Sequence, residues 1–363
     1  MWKSSHTLQL LKESGLSLDY NAFVEQLERA TYALGLLEGS QRELQNPALL
    51  VSPLTAKEAT VSSRIEGTQS TVSDVFLYEA GGTPKHADVK QVTNYRTAIK
   101  TASDQIRRGQ PLSQHLIRSV HAKLLDGVRH KGPLGKFRSG PVWIAEHDGD
   151  PIEKAIYIPP EAHFVADLMD NLITYISKGK ELPLIRAGIA HYQFEATHPF
   201  EDGNGRIGRL LVPLILFNAG IISSPILYVS GYLDEHKDEY VAALHNVDEG
   251  GVYEPWLIFF LTAVAAQLSD TQKLIEAIYK LHNDTRSRFR GTKSPYISDF
   301  IDYLFRSPIF TLPGAKVAIK AKARPTVDWL IETFKQQGVI TDTGARDGRA
   351  KIYAFVALLN LLK

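Results

Sequence analysis

The residues from His198 to Arg209, His-Pro-Phe-Glu-Asp-Gly-Asn-Gly-Arg-Ile-Gly-Arg, bring together several groups that can do chemistry. Within twelve residues they supply a possible general base, His198, the carboxylate of Asp202, a glycine-asparagine-glycine turn and two arginines. Histidine titrates near neutral pH, whereas arginines and glycine-rich turns bind phosphate oxygens. The segment therefore has the parts needed to hold a metal-bound triphosphate beside a group that accepts a proton.

The spacing predicts where the phosphate-binding groups lie. His198 ends one predicted helix and Arg206 lies in the first turn of the next, so the glycines between them would turn the backbone tightly and present N–H groups inward. Arg206 and Arg209 are three residues apart, and we expect both to face those N–H groups from one side of the helix. Asp202 would hold Mg²⁺, which prefers oxygen ligands, and Asn204 would either contact phosphate or hold the turn. The predicted nucleotide-binding residues of the segment are Gly203, Asn204, Gly205, Arg206, Ile207, Gly208 and Arg209.

The role of His198 follows from these neighbours. Its imidazole would accept a hydroxyl proton while the hydroxyl oxygen attacks phosphorus, and the metal and arginines would stabilise the charged oxygens. Phe200 is apolar between polar neighbours, so we expect it to anchor the loop in the core.

The segment resembles the signature of the Fic family, His-x-Phe-x-(Asp/Glu)-Gly-Asn-Gly-Arg-x-x-Arg. All eight defining positions match, from His198 to Arg209. The resemblance implies a protein adenylyltransferase, which transfers AMP from Mg-ATP to a hydroxyl side chain of a target protein and releases pyrophosphate. A related Doc-like branch has lysine where this chain has Gly205 and phosphorylates its target instead, so Gly205 favours AMP transfer.

Two further expectations come from the resemblance. A flap, here Val142–Ile158, is implied to align the target segment by strand-like pairing. Tyr240, in Asp-Glu-Tyr-Val, matches an aromatic position that lines the nucleotide pocket.

A second element, Ser62-Ser-Arg-Ile-Glu66-Gly67, matches the family pattern (Ser/Thr)-x-x-x-Glu-(Gly/Asn). Ser62 and Glu66 would share one face of a helix, and a carboxylate near a helix C-terminus favours a cationic partner. The resemblance names Arg209 as that partner. Paired with Glu66, Arg209 could not grip the γ-phosphate, so the resemblance implies a chain autoinhibited by an N-terminal helix.

Helices must position both elements. The fold class predicted is mainly α, with an apolar helix over 184–197, a second helix over 205–218 after the motif loop, and an inhibitory helix over 53–67. Ser52 and Pro53 are typical of a helix start, and Gly67 of a helix end. The apolar pieces 142–144 and 155–158 predict a short β-hairpin for the flap.

Beyond a predicted polar linker at Asn283–Lys293, the pattern changes to three helices, over 298–306, near 315–321 and from Arg324 to Gly338. Strands at Val339-Ile340 and Lys351–Val356 follow, and the order resembles a winged helix-turn-helix. We therefore predict three domains, namely an N-terminal helical region over 1–108, a Fic catalytic core over 109–282 and a winged-helix-like domain over 294–363.

The composition fits a soluble globular protein. The 363 residues carry a formal net charge of +1, which excludes a global field that would attract nucleic acid or membranes. The chain has no cysteine, which excludes disulfides and thiolate metal sites. The N-terminus lacks the pattern of a signal peptide, and we expect a cytoplasmic protein without a membrane partner.

Two alternatives stay open. The same site could catalyse UMP or phosphocholine transfer, or removal of AMP. The chain could also be a nucleotide-sensing, DNA-binding regulator. Asp328 and Glu332 on the predicted recognition helix would repel a DNA backbone, so we expect the C-terminal domain to bind protein, either a target or a second copy of the chain, rather than DNA.

Overall fold

The computed structural model describes residues 8–43, 48–145, 147 and 149–363. Residues 146 and 148 of the predicted flap, and residues 1–7 and 44–47 of the predicted N-terminal region, lie outside the described residues. The fold is mainly helical, as the sequence predicts. The first helices are α1 (Val24–Glu43), α2 (Ala48–Ile65), α3 (Val72–Glu79), α4 (Val89–Arg107), α5 (Gln114–Leu124), α6 (Val165–Lys178), α7 (Pro183–Thr197) and α8 (Asn204–Asn218). The later elements are α9 (Ser230–Glu235), α10 (Lys237–Gly250), α11 (Glu254–Arg288), α12 (Ile297–Arg306), β1 (Ile309–Thr311), α13 (Leu312–Ala318), α14 (Arg324–Gln336), β2 (Thr341–Asp347), β3 (Ala350–Ala354) and α15 (Val356–Leu361).

The chain divides into two compact units. The first unit contains the chain up to Glu38 together with Thr97–Leu268, and the second contains Gly39–Arg96 together with Ser269–Lys363. Residues 39–96 therefore group with the C-terminal part of the chain, a division that cuts across the three predicted domains. The three-domain organisation remains a prediction.

The core of the first unit is built around α7. This helix packs against α6 and α8, and Ile185 and Ile189 on it are fully buried. The indole N–H of Trp256, in α11, donates to the carbonyl of Gly188 at 2.9 Å. Because both helices that flank the motif loop are buried, the loop is held at its two ends by the core.

The second unit places α2 against α12. The hydroxyl of Ser52 donates to the carbonyl of Arg306 at 2.6 Å and accepts from the guanidinium of Arg96 at 3.0 Å. Three antiparallel strands in the order β1-β3-β2 complete the unit, with Ile309 opposite Ala354.

The inhibitory helix begins earlier than predicted. Helix α2 starts at Ala48, so Ser52 and Pro53 lie inside it, and it ends at Ile65, so Gly67 follows it with φ +91°. Leu50 is fully buried, and burial of the first turn outweighs the local cost of a proline within a helix. The predicted start at Pro53 is therefore wrong.

The predicted linker Asn283–Lys293 is also wrong in its first part. Helix α11 continues through Arg288, because the polar stretch also contains buried residues. These are Thr285 within the helix and Phe289 directly after it. The ring of Phe289 stacks on Phe334 with the centroids 3.9 Å apart, which fixes the end of α11 against α14.

The C-terminal elements follow the predicted order of three helices and two strands, with β1 and α15 in addition. The first strand of the predicted wing is misplaced, because Val339 and Ile340 precede β2, which begins at Thr341. The winged-helix assignment remains a prediction. In the described part of the chain, no helix is both long and apolar enough to span a membrane.

Candidate active site

His198 stands at the C-terminal cap of α7 in a left-handed conformation, with φ 47° and ψ 60°. Its backbone N–H donates to the carbonyl of Phe194 at 3.0 Å, and Pro199 cannot continue the helix. Positive φ is unfavourable for a residue with a Cβ and persists where the surroundings fix it. The proposed base is therefore presented by a constrained turn directly after a buried helix.

Arg138 and Tyr157 donate hydrogen bonds to the carbonyls of this turn. The guanidinium of Arg138 donates from Nε to the carbonyl of His198 at 2.8 Å, and the Arg138 backbone N–H donates to the carbonyl of Pro199 at 2.9 Å. The hydroxyl of Tyr157 donates to the carbonyl of Ala196 at 2.8 Å. Neither side chain was predicted, because they lie about 40 to 60 positions before the motif and no spacing in a single sequence links them to it.

Phe200 anchors the loop, as predicted. It is fully buried, and its ring stacks on His121 of α5 with the centroids 3.8 Å apart and the planes at 9°. The ring centroid of Phe137 lies 5.3 Å from that of Phe200. The aromatic contact fixes the loop to α5, a helix distant from it in sequence.

His121 is a third residue that the sequence did not reveal. Its Nδ1 accepts the backbone N–H of Gly135 at 3.0 Å, so its Nε2 carries the proton and donates to the carbonyl of Asp202 at 3.0 Å. Burial lowers the pKa of His121 to about 4, so the ring is neutral at neutral pH. Its place on the buried face of α5, beside Val120 and Leu124, is the available sequence signal, and it indicates core packing rather than catalysis.

Asn204 holds the turn, which is one of its two predicted roles. Its amide oxygen accepts the backbone N–H of Phe200, and its amide nitrogen donates to the carbonyl of the same residue, both at 2.9 Å. Gly203 caps the start of α8 with φ 79°, a conformation suited to glycine. The turn is therefore built by Asn204 and Gly203 together, and Gly205 lies in the first turn of α8.

Arg206 and Arg209 lie on α8 and are 4% and 2% exposed. Arg206 contacts Asp202, with 3.4 Å between the guanidinium and carboxylate. Arginines are almost never buried without partners, so this degree of burial argues against an ordinary solvated helix face. Ile207 and Gly208 lie between the two arginines on α8. A Cβ on Gly208 would come within 2.0 Å of the Glu195 carboxylate.

Asp202 is the predicted metal ligand. Its side chain is 31% exposed and lies beside Arg206 and the backbone N–H of Lys131. No group of three or more histidine, aspartate or glutamate side chains able to hold a metal occurs among the described residues. A single accessible carboxylate fits Mg²⁺ that arrives on nucleotide phosphates, since Mg²⁺ is commonly bound by one or two carboxylates and substrate oxygens.

Tyr240 lies in the core of the first unit, 7% exposed. Its hydroxyl is 2.8 Å from Nε2 of His191, and its ring contacts Trp256 and Phe259. Burial, with Arg209 in addition, lowers the pKa of His191 to about 4. Tyr240 is thus connected to the helix that precedes the motif, and its contact with a nucleotide remains a prediction.

Among the described residues of the flap, the predicted hairpin is reduced to one antiparallel bridge, between Ile144 and Tyr157. Ile144 donates its N–H to the carbonyl of Tyr157 at 2.9 Å and accepts from Ile156 at 2.7 Å. Trp143 and Ile144 are partly exposed, which leaves an apolar edge on the flap.

Ser62 and Glu66 belong to the second unit, whereas Arg209 belongs to the first. Ser62 is fully buried on the last turn of α2, and Glu66 follows the helix as an exposed residue. The pairing of Glu66 with Arg209 remains a prediction.

Two models of a known protein family match the chain. The sequence model of the Fic/DOC family matches residues 111–216, and that of the Fic/DOC family N-terminal region matches residues 24–104, together just over half of the chain. The chain therefore belongs to the Fic/DOC family. The first match contains the whole motif loop, and the second contains Ser62 and Glu66.

Two curated relatives are similar in sequence to part of this chain. The probable protein adenylyltransferase aq_aa38 of Aquifex aeolicus is 29% identical over 99 residues, which cover 27% of this chain and 28% of that protein. The protein adenylyltransferase Fic of Nematostella vectensis is 28% identical over 188 residues, which cover 51% of this chain and 40% of that protein. The chain thus spans less than half the length of these curated relatives.

A solved structure shows the same fold. A Fic family protein from Desulfovibrio desulfuricans is 20% identical, with a TM-score of 0.59, and the alignment covers 94% of this chain and 98% of that one. The fold class predicted from the sequence, a helical Fic protein, is confirmed.

Proposed function

We propose that this chain is a protein adenylyltransferase that transfers AMP from ATP to a serine, threonine or tyrosine hydroxyl of a target protein. The observation that carries the proposal is the constrained turn at His198, followed directly by α8 with two buried arginines. Family relatives named as protein adenylyltransferases support it.

His198 acts as the general base in this proposal. It takes the proton of the target hydroxyl, the hydroxyl oxygen forms a bond to the α-phosphorus, and the bond to the pyrophosphate oxygen breaks. Arg206 and Arg209 bind phosphate oxygens through charge-assisted hydrogen bonds, and the N–H groups at the start of α8 add a partial positive charge. Tyr240 lines the nucleotide pocket.

Asp202 would hold Mg²⁺ on the phosphates of ATP. Bound there, the metal would neutralise charge on the phosphate oxygens. Asp202→Asn should then weaken the dependence of transfer on Mg²⁺ concentration, and an unchanged dependence would assign the metal to another ligand.

Glu66 keeps the enzyme inactive by pairing with Arg209. The exposed position of Glu66 directly after α2 supports this role, because a carboxylate at a helix C-terminus gains from a cationic partner. Release of Arg209 restores charge-assisted bonds worth about 1.5–3 kcal/mol, which corresponds to about tenfold or more in rate.

The target docks at the flap, residues 142–158, and the partly exposed edge at Trp143 and Ile144 supports docking of an extended segment. A further protein partner, a target or a second copy of the chain, binds the C-terminal region. Val317 and Trp329 are 79% and 44% exposed there, and such apolar side chains suit a protein surface.

Incubation of the Glu66→Gly protein with Mg²⁺ and ATP labelled on the α-phosphate tests the proposal. We expect labelled protein, at least tenfold more than with wild type, and loss of this gain in Glu66→Gly/Arg209→Ala. His198→Ala in the Glu66→Gly background is the matched negative control.

Label from UTP or a phosphocholine donor instead of ATP, or release of AMP from a modified target, would assign another Fic activity. ATP-dependent, sequence-specific DNA binding by the full chain without any labelled protein would support the nucleotide-sensing regulator instead.

A further inference from the structure

Four consecutive carbonyls at the end of α7 each accept a hydrogen bond from residues of the flap or its base. The Tyr157 hydroxyl donates to Ala196 at 2.8 Å, and the Arg138 guanidinium donates to Thr197 at 3.3 Å and to His198 at 2.8 Å. The Arg138 backbone N–H donates to Pro199 at 2.9 Å. The last carbonyls of a helix have no hydrogen-bond partner within the helix, so these donors satisfy the carbonyls at the end of α7.

The same guanidinium also binds the two ends of the flap. It donates to the carbonyl of Gly140 at 3.2 Å and to the carbonyl of Pro160. Gly140 precedes the predicted flap and Pro160 follows it. One side chain therefore connects both ends of the flap to the turn that carries the proposed base.

Arg138 is suited to this position by charge and by shape. It is 3% exposed, and in the described part of the chain every hydrogen bond of its side chain goes to a carbonyl oxygen. Burial lowers the pKa of the guanidinium, but arginine remains charged in proteins. The partial negative charge at the end of α7 stabilises that cation, and only a planar fork of donors reaches several carbonyls at once.

We infer that Arg138 is a positioning residue for His198, and that Tyr157 assists it by holding the preceding carbonyl. His198 has a positive φ, a conformation that needs to be fixed from outside. Arg138 bonds the carbonyls on both sides of that backbone unit, Thr197 and His198, and thereby sets the direction of the imidazole. The catalytic consequence of this inference rests on the proposed adenylyltransferase function.

The test compares Arg138→Lys with Arg186→Lys, both in the Glu66→Gly background. Arg186 lies on α7 and donates to the carbonyl of Gly179 at 2.7 Å, near the end of α7 opposite to the one that Arg138 contacts, which makes it a matched control. Lysine keeps the positive charge but lacks the planar set of N–H donors that lets arginine reach several carbonyls at once. We expect Arg138→Lys to lower kcat for AMP transfer by about tenfold to a hundredfold, with KM for ATP within about twofold. Arg186→Lys should retain the parent kcat.

Hydrogen exchange supplies a readout that does not need activity. The amide of His198 should exchange faster in Arg138→Lys than in Arg186→Lys, because the bond from His198 N–H to Phe194 belongs to the turn that Arg138 holds. Tyr157→Phe removes one donor and should produce a smaller change in the same direction. If Arg138→Lys does not fold, exchange of the His198 amide in Tyr157→Phe tests the inference in its place.

Unchanged kcat and unchanged exchange in Arg138→Lys would overturn the inference, as would a raised KM for ATP at constant kcat. If the Glu66→Gly parent shows no AMP transfer, the proposed function fails, whereas the exchange comparison still decides whether Arg138 holds the turn.

Discussion

His198 is the residue on which the proposed chemistry depends most directly. A general base contributes about 10²–10⁴-fold to rate, whereas the turn and the arginines of α8 are the proposed phosphate contacts. We expect His198→Ala to lower transfer by at least about a hundredfold and to leave ATP affinity within about threefold. Transfer assays and calorimetric ATP titration measure the two effects. His115→Ala, an exposed histidine on α5, should change neither.

His121 predicts a pH dependence of stability. Its pKa in the folded chain is about 4, below the value of about 6.5 expected after unfolding. Between these values the unfolded chain binds the additional proton, so the free energy of unfolding falls as pH decreases through this range, by up to about 1.4 kcal/mol per pH unit. Below about pH 4 this contribution is fully lost.

Urea unfolding at pH 7.5, 6.0 and 5.0 measures that slope. His121→Asn should be less stable at pH 7.5 but show a smaller decrease toward pH 5.0, because one buried neutral histidine is absent. Parallel curves for the two proteins would contradict the assignment. His191, also with a pKa of about 4, should contribute a second share of the slope in both proteins.

At the scale of elements, the packing of α7 against α11 depends on a glycine. A Cβ on Gly188 would come within 2.7 Å of the Phe260 ring, whereas a Cβ on Gly35, in α1, would meet nothing within 4 Å. Gly188→Ala should therefore destabilise the chain by about 1–3 kcal/mol through overpacking. Gly35→Ala should stabilise it by about 0.5–1 kcal/mol through helix propensity.

Thermal or urea unfolding of the two alanine variants checks this pair. Because both glycines lie inside helices, the propensity gain is the same and the difference isolates the contact with Phe260. Equal stability of the two variants would show that the ring moves aside without cost.

The elements around the motif were predictable because their signals are local. Pro199 and the glycines of the loop mark the end of α7 and the start of α8 within a residue or two. The start of α2 was not predictable, because Ser52 and Pro53 have the residue types of a helix start. Burial of Leu50 nevertheless extends the helix to residues before them. Local capping signals are worth about 1 kcal/mol, and burial of a leucine exceeds that.

The contacts that hold the loop were beyond sequence reasoning for a different reason. Arg138 and His121 reach the motif only through the folding of the chain, across 60 and 81 positions. A single sequence shows residue types and periods, and neither records which distant carbonyl a buried side chain will contact. The motif itself was readable because its groups are contiguous.

At the scale of the whole molecule, α2 depends on the C-terminal part of the chain. It packs against α12 within the second unit, and Ser52 bonds the carbonyl of Arg306. Removal of the residues after Gly291 would remove α12 and expose the side of α2 that packs against it. Because Ser62 lies in α2 and Glu66 follows it directly, we expect the truncated chain to be less stable and to transfer AMP faster even with Glu66 intact.

Labelling with ATP and thermal unfolding of the truncated and full chains measure both parts of this prediction. Addition of Glu66→Gly to the truncated chain should then give little further gain. A truncated chain that stays as inactive as wild type, with normal ATP binding, would show that α2 holds its inhibitory position without α12.

The attachment of the flap at its two ends has a consequence for protein engineering. The bridge between Ile144 and Tyr157 joins its two sides, and the Arg138 guanidinium donates to the carbonyls of Gly140 and Pro160. We therefore expect the stretch between these anchors, which is the proposed docking site of the target, to be exchangeable. Grafting the corresponding stretch of a relative, with Tyr157 retained, should redirect labelling to that relative's target while the unfolding temperature stays within a few degrees.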